Sequence, residues 1–147
     1  MMTRALPKKF VQVLPAPLAG EIQRFVRKSR ADFSCAITMT GECEDVSRDL
    51  AKHLNGKTLE NEFGEQERVQ AFRVQKWMHT VPSRLRHNHM AEGHYVVIIK
   101  WNGQVWEVDM TAAQFPEMGW TGPRIKVEMK LQRVLRLLAE RKTKAAP

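Results

Sequence analysis

Cysteine is scarce. Only Cys35 and Cys43 occur in the 147 residues, and one conceivable bridge is too little for a disulfide-built scaffold of this length. Free thiols are the expectation, each serving either as core filler or as chemistry. No run of about eighteen apolar residues is present, which excludes a membrane-spanning helix of the ordinary kind. The opening MMTRALPKKF has no apolar middle of the sort a secretion signal needs. A cytoplasmic protein is expected on these grounds. Internal repeats and low-complexity tracts are also missing, so nothing points to a solenoid. What is there suits one core: 43% of residues are apolar, with four Trp and six Phe, enough for a single domain spanning 1–147.

The net charge of +8 is uneven. Residues 1–30 carry seven Lys/Arg against one acid, and residues 124–147 carry eight against two, so each end is +6 and the middle is −4. Basic ends suit an acidic or nucleic-acid-associated partner. They equally suit the solvated faces of terminal helices. No aromatic residues interleave with the C-terminal charges, and no helix-turn-helix, zinc-finger or aromatic-rich strand signature accompanies them.

Apolar spacing predicts a helix over 18–30, through Leu18, Ile22, Phe25 and Val26, entered by two prolines. The stretch CEDVSRDLAKHLNG places Val46, Leu50, Ala51 and Leu54 on one face and ends in Asn55-Gly56, which predicts a helix that begins at Cys43 and stops in a left-handed cap. Residues 59–80 mix the helical and strand periods and are left unassigned. The polar, histidine-rich stretch 83–92 reads as a loop. In GHYVVIIKWNGQVWEVDMT, Asn102-Gly103 between two β-rich runs predicts a two-residue type I′ hairpin. That turn pairs Trp101 with Gln104, Ile98 with Glu107, Val96 with Asp109 and His94 with Thr111. His94 and Asp109 then become diagonal neighbours on one face, with Tyr95, Val97, Ile99, Trp101, Trp106, Val108 and Met110 on the other, buried face. A strand through Ile125, Val127 and Met129 and an amphipathic helix through Leu131, Val134, Leu135 and Leu138 close the chain.

A nucleophilic cysteine needs a favoured thiolate, a base within reach and a group that orients the base. Cys43 at a helix start feels the positive end of the helix dipole. His94 can take and return a proton, and Asp109 can hold its second ring nitrogen. Glu42, Glu44 and Asp45 oppose a thiolate by their charge, unless the roughly 100° between successive helical side chains turns them away. Cys35, in FSCAITM, reads as core.

The segments GEC-EDVSRDLAKHL and GHYVVIIKWNGQVWEVDMTAAQF resemble the papain-like cysteine hydrolase superfamily, especially its small bacterial and phage branches of papain-fold toxins, protein deamidases and cell-wall amidases. The resemblance covers residues 41–115. It implies an α+β fold with a papain-like core, in which a Cys-bearing helix packs on an antiparallel sheet, flanked here by N- and C-terminal amphipathic helices. It also implies Cys43 as nucleophile, His94 as base and Asp109 as orienter, acting without a cofactor on an amide or isopeptide-type bond of a protein or peptide. The D-x-T-x-x-Q-F segment, Asp109 to Phe115, resembles a strand-end signature of the toxin-like members. One departure is clear: papain-like enzymes draw an oxyanion donor from a glutamine six residues before the cysteine, where Ile37 stands in this chain. The Cys43 N–H, Thr38 and Thr40 are the candidates instead.

Two other readings compete. His87, His89 and His94, with Cys43 as a fourth ligand, would make a metal site, although loop histidines are usually solvated and no metal is expected. A non-catalytic binding module would dock its basic ends on nucleic acid or an acidic protein, with affinity that falls steeply with salt.

Overall fold

In a computed structural model, residues 6–79 and 91–128 are described. Among the described residues four helices precede the sheet: α1 (Lys8–Val13), α2 (Ala16–Ser29), α3 (Ala36–Met39) and α4 (Cys43–Leu54). Helix α2 starts two residues earlier than its spacing predicts, with a proline in its first turn where a missing N–H costs nothing. It buries Leu18, Ile22, Phe25 and Val26 as expected. Helix α1 is absent from the sequence reading because Pro7 and Leu14-Pro15 confine it to six residues, too short to show a period; it buries Phe10 alone.

Helix α4 has the predicted bounds. Leu50, Ala51 and Leu54 are buried with Val46 packed against the core, and Gly56 takes the left-handed conformation with φ 87° just past its end. The Asn55 side chain does more than end the helix, for its oxygen accepts the Ala71 N–H at 3.1 Å and ties the helix end to the sheet. Helices α2 and α4 meet through buried Glu21, which accepts from Lys57 at 2.7 Å and pairs with Arg24 and His53.

The unassigned stretch resolves as strands: a small hairpin of β1 (Thr58–Glu60) and β2 (Gln66–Arg68), then β3 (Gln70–His79). The Asn61 side chain turns that hairpin by accepting the Phe63 and Glu65 N–H groups. Strands β3, β4 (Ala91–Trp101), β5 (Gln104–Asp109) and β6 (Arg124–Glu128) form one antiparallel sheet in that order. Helices packed on antiparallel sheets make the fold α+β. Ala91 and Glu92, read as loop from sequence, belong to β4. Residues 83–90 of that expected loop, with His87 and His89, lie outside the described residues, as do Met129 of the expected last strand and the expected C-terminal helix.

The hairpin turn has the predicted geometry, with φ 52° at Asn102 and 77° at Gly103, and Trp101–Gln104 and Ile98–Glu107 pair as counted. Pairing then stops at Val97–Val108. The expected rungs Val96–Asp109 and His94–Thr111 are not formed, because the strands part at the end nearest α4. Val97, Ile99, Trp101, Trp106 and Val108 pack under the helices. On the opposite face Val96 and Val105 are buried as well. Among the described residues no helix is long and apolar enough to cross a membrane.

Gly103→Ala is expected to cost about 1–2 kcal/mol from left-handed strain alone, since a Cβ there meets nothing within 4 Å. Chemical denaturation checks this, with the denaturant dependence unchanged.

Candidate active site

The parting of β4 and β5 creates the site. Both backbone groups of Tyr95 face α4: its carbonyl accepts from Ser47 Oγ at 3.0 Å, and its N–H reaches the Cys43 sulfur. The first turn of α4 thus stands where β5 would have continued. Arg73 fixes that turn from the neighbouring strand. Its guanidinium lies 4.7 Å from the centre of the Tyr95 ring and 3.4 Å from the Glu44 carboxylate, while Asp45 pairs with Arg48 at 3.3 Å. Two of the three acids that flank the cysteine are therefore engaged by arginines.

His94 is fully buried. Its Nε2 is 2.8 Å from Asp109 Oδ2, and its ring makes a T-shaped contact with Phe115, centroids 4.8 Å apart. Cys43 is half-buried and contacts the same imidazole. The structure thus brings Cys43, His94 and Asp109 together, although they are far apart in sequence. With Nε2 taken by the carboxylate, Nδ1 is the nitrogen left for the sulfur and is the atom that would exchange protons.

The electrostatics follow from these neighbours. Burial pushes the Cys43 thiol up, but the hydrogen bond with His94, the Tyr95 N–H, the charge of His94 and the Gln114 amide outweigh it and leave the thiol below its ordinary range. Burial pushes His94 down, yet its bonds to Asp109 and Cys43 and their charges raise it to about 9. Each group thus favours the charged form of the other.

Gln114 was not singled out from sequence. It sits in a 3-10 turn, Ala112–Gln114, is only 4% exposed, and places its amide nitrogen 3.4 Å from His94 Nδ1 and 3.0 Å from Thr111 Oγ1. Its signal was the D-x-T-x-x-Q spacing, which acquires meaning only once the turn after Thr111 is known. The earlier donor candidates fare differently. The Thr40 hydroxyl is committed to the Ala36 carbonyl at 2.7 Å, and Thr38 bonds Cys35. The Cys43 N–H lies in the first turn of α4, whose N-cap makes no side-chain hydrogen bond.

Cys35 corrects the sequence reading. It precedes the four-residue α3 and is partly exposed rather than core, and bonding with Thr38 lowers its thiol. Phe33 and Met39 take the core places that FSCAITM offered. Among the described residues no cluster of His, Cys, Asp and Glu is arranged to hold a metal. A cavity of about 450 Å³ opens between residues 31–34 and 119–124. Cys43, His94 and Asp109 do not line it, but its wall residue Trp120 packs edge-on against Phe115 at 5.9 Å and stacks on Arg124 at 3.9 Å.

No family model, curated protein or solved structure matches the chain. The chemistry of the cluster therefore carries the functional reading.

In a Cys35→Ser background, Asp109→Asn is expected to bring His94 down from about 9 toward the ordinary imidazole range. The Cys43 thiol should rise, because it loses its charged partner. Imidazole NMR titration and the pH dependence of iodoacetamide labelling check the two shifts, and the labelling profile should move to higher pH.

Proposed function

We propose that the protein is a cysteine-dependent hydrolase or acyltransferase with a papain-like core, acting on an amide or isopeptide-type bond in a protein or peptide. Cys43 is the nucleophile, His94 the base and then the acid, and Asp109 the orienter. The observation that carries this reading is the mutual stabilisation of a half-buried sulfur and a fully buried imidazole, with Asp109 on the other nitrogen at 2.8 Å. A structural cysteine needs none of these partners. A half-buried thiol lowered by a buried imidazole that is itself raised by a carboxylate has the pairing that acyl transfer requires.

The steps balance as follows. The thiolate forms a C–S bond to the carbonyl carbon while the C=O π pair moves onto oxygen. The pair returns, the C–N bond breaks, and His94 gives the Nδ1 proton to the departing amine, leaving a thioester on Cys43. Water then adds as His94 removes its proton, and the acid leaves with thiolate restored. An amine in place of water gives transfer. Asp109 keeps the ring oriented throughout and stabilises the imidazolium without taking its proton.

Cys43→Ala is expected to abolish turnover, and His94→Ala to reduce it by about 10²–10⁴-fold. Asp109→Ala should cost roughly tenfold less than His94→Ala, as the third member of such triads does. The test is incubation of the Cys35→Ser protein with peptide and protein pools, read by intact-mass spectrometry against Cys43→Ala. Cleavage, conversion of a side-chain amide to acid, or an amine adduct would each name the reaction. A wild-type chain that yields no Cys43-dependent product and no thioester with an activated ester would overturn the proposal.

A further inference from the structure

The proton path from Cys43 to Asp109 makes no use of the cavity between residues 31–34 and 119–124, whose volume of about 450 Å³ is that of an ordinary ligand site. Its lining suits one. Leu6, Val26 and Phe33 supply apolar surface, while Asp32 stands on one wall and Arg124 on the other. Among the described residues Arg124 makes no ion pair, and its guanidinium lies 3.9 Å from the centre of the Trp120 ring. A guanidinium that is stacked but not paired keeps its forked N–H groups for a carboxylate. Asp32 uses one oxygen, Oδ1, on the Ser34 N–H and hydroxyl.

The cavity is tied to the catalytic cluster in two ways. Trp120 meets Phe115 with centroids 5.9 Å apart and Phe115 meets His94 at 4.8 Å, so Trp120 stands within about 11 Å of the imidazole, roughly three residues of extended chain. Arg124 is the cross-strand partner of Asp109, and both line a smaller cavity of about 80 Å³ with Trp120. The path of rings starts at the imidazole and not at the sulfur. In acyl transfer the acyl carbon sits on sulfur, whereas the amine, leaving or attacking, exchanges its proton with the imidazole. The cavity is therefore on the amine side.

We infer that this cavity binds the amine-side segment of the substrate, a short peptide that bears a carboxylate about two or three residues from the reacting nitrogen. Arg124 holds the carboxylate, and Asp32 accepts an N–H of the same segment. The inference deepens the proposed function and rests on it for the placing of the amine side. It makes Arg124 a specificity-determining residue and gives the segment 119–124 a task apart from the triad.

Three peptides test it: Gly-Leu-Leu, its C-terminal amide, and Gly-Leu-Glu amide, which moves the carboxylate to a side chain. Binding is measured by calorimetry on the full-length Cys43→Ala protein, where no reaction intervenes. A carboxylate-bearing peptide should bind at least about 10-fold more tightly than Gly-Leu-Leu amide, and the tighter of the two acids names the source of the carboxylate. Arg124→Met should erase that difference. Gly122→Leu should weaken all three peptides by filling the cavity, since a Cβ at Gly122 meets nothing within 4 Å; circular dichroism follows folding in both. With Cys43 present, an acetyl thioester formed from p-nitrophenyl acetate should pass its acetyl group to the peptide amine, the C–N bond forming as C–S breaks and His94 takes the amine proton. The half-saturating concentrations should follow the order of affinities. Equal affinity for acids and amide, or a preference kept in Arg124→Met, would overturn the inference and leave Cys43 as nucleophile intact. A Cys43 that is never acetylated would instead overturn the proposed function, and with it the amine-side placement.

Discussion

The contact between the first turns of α4 and the Tyr95 peptide is the constraint on which the site depends. An antiparallel ladder would ordinarily use both backbone groups of Tyr95 for the next strand, since buried N–H and C=O groups must find partners. Here β5 leaves the ladder after Val108, and α4 supplies the partners instead: a hydroxyl for the carbonyl and a sulfur for the N–H. Cys43 is located by the same bonds that complete the sheet. Its place is therefore set by the backbone and not by side-chain packing alone.

Charge balance follows from that placement. A fully buried imidazole that carries a proton is costly unless paired and hydrogen-bonded, and Asp109 on one nitrogen with Cys43 on the other supplies both. The acids around the cysteine would spoil the arrangement if they faced the sulfur. Arg73 draws Glu44 toward β3 and also covers the Tyr95 ring, so one cation removes an opposing charge and presses the helix onto the strand it needs.

Much of this was legible in the sequence because it was written in local backbone chemistry. Asn102-Gly103 fixes its turn through positive φ, and the spacing from Cys43 to Leu54 fixes a helix face. The shared face of His94 and Asp109 followed from counting back from the turn, even though the strands part before those rungs and the two meet by side-chain bonding instead. The rest depended on tertiary context. Residues 59–80 gave no clear period because Asn61 breaks the run into two unequal hairpin pieces. Cys35 looked buried because apolar neighbours surround it in sequence, yet Phe33 and Met39 point inward in its place. Gln114 was silent because a 3-10 turn brings it back beneath Thr111, and no strand or helix period describes that path.

The turn after β5 has one more consequence. Base orientation and the amide at Gln114 hang from a single carboxylate, whose two oxygens serve Nε2 and the Thr111 N–H separately. Displacing that carboxylate would tilt the ring and release the amide in one movement. Such a unit has no half-assembled form, for one lost side chain in this short loop frees an imidazole and a peptide N–H together.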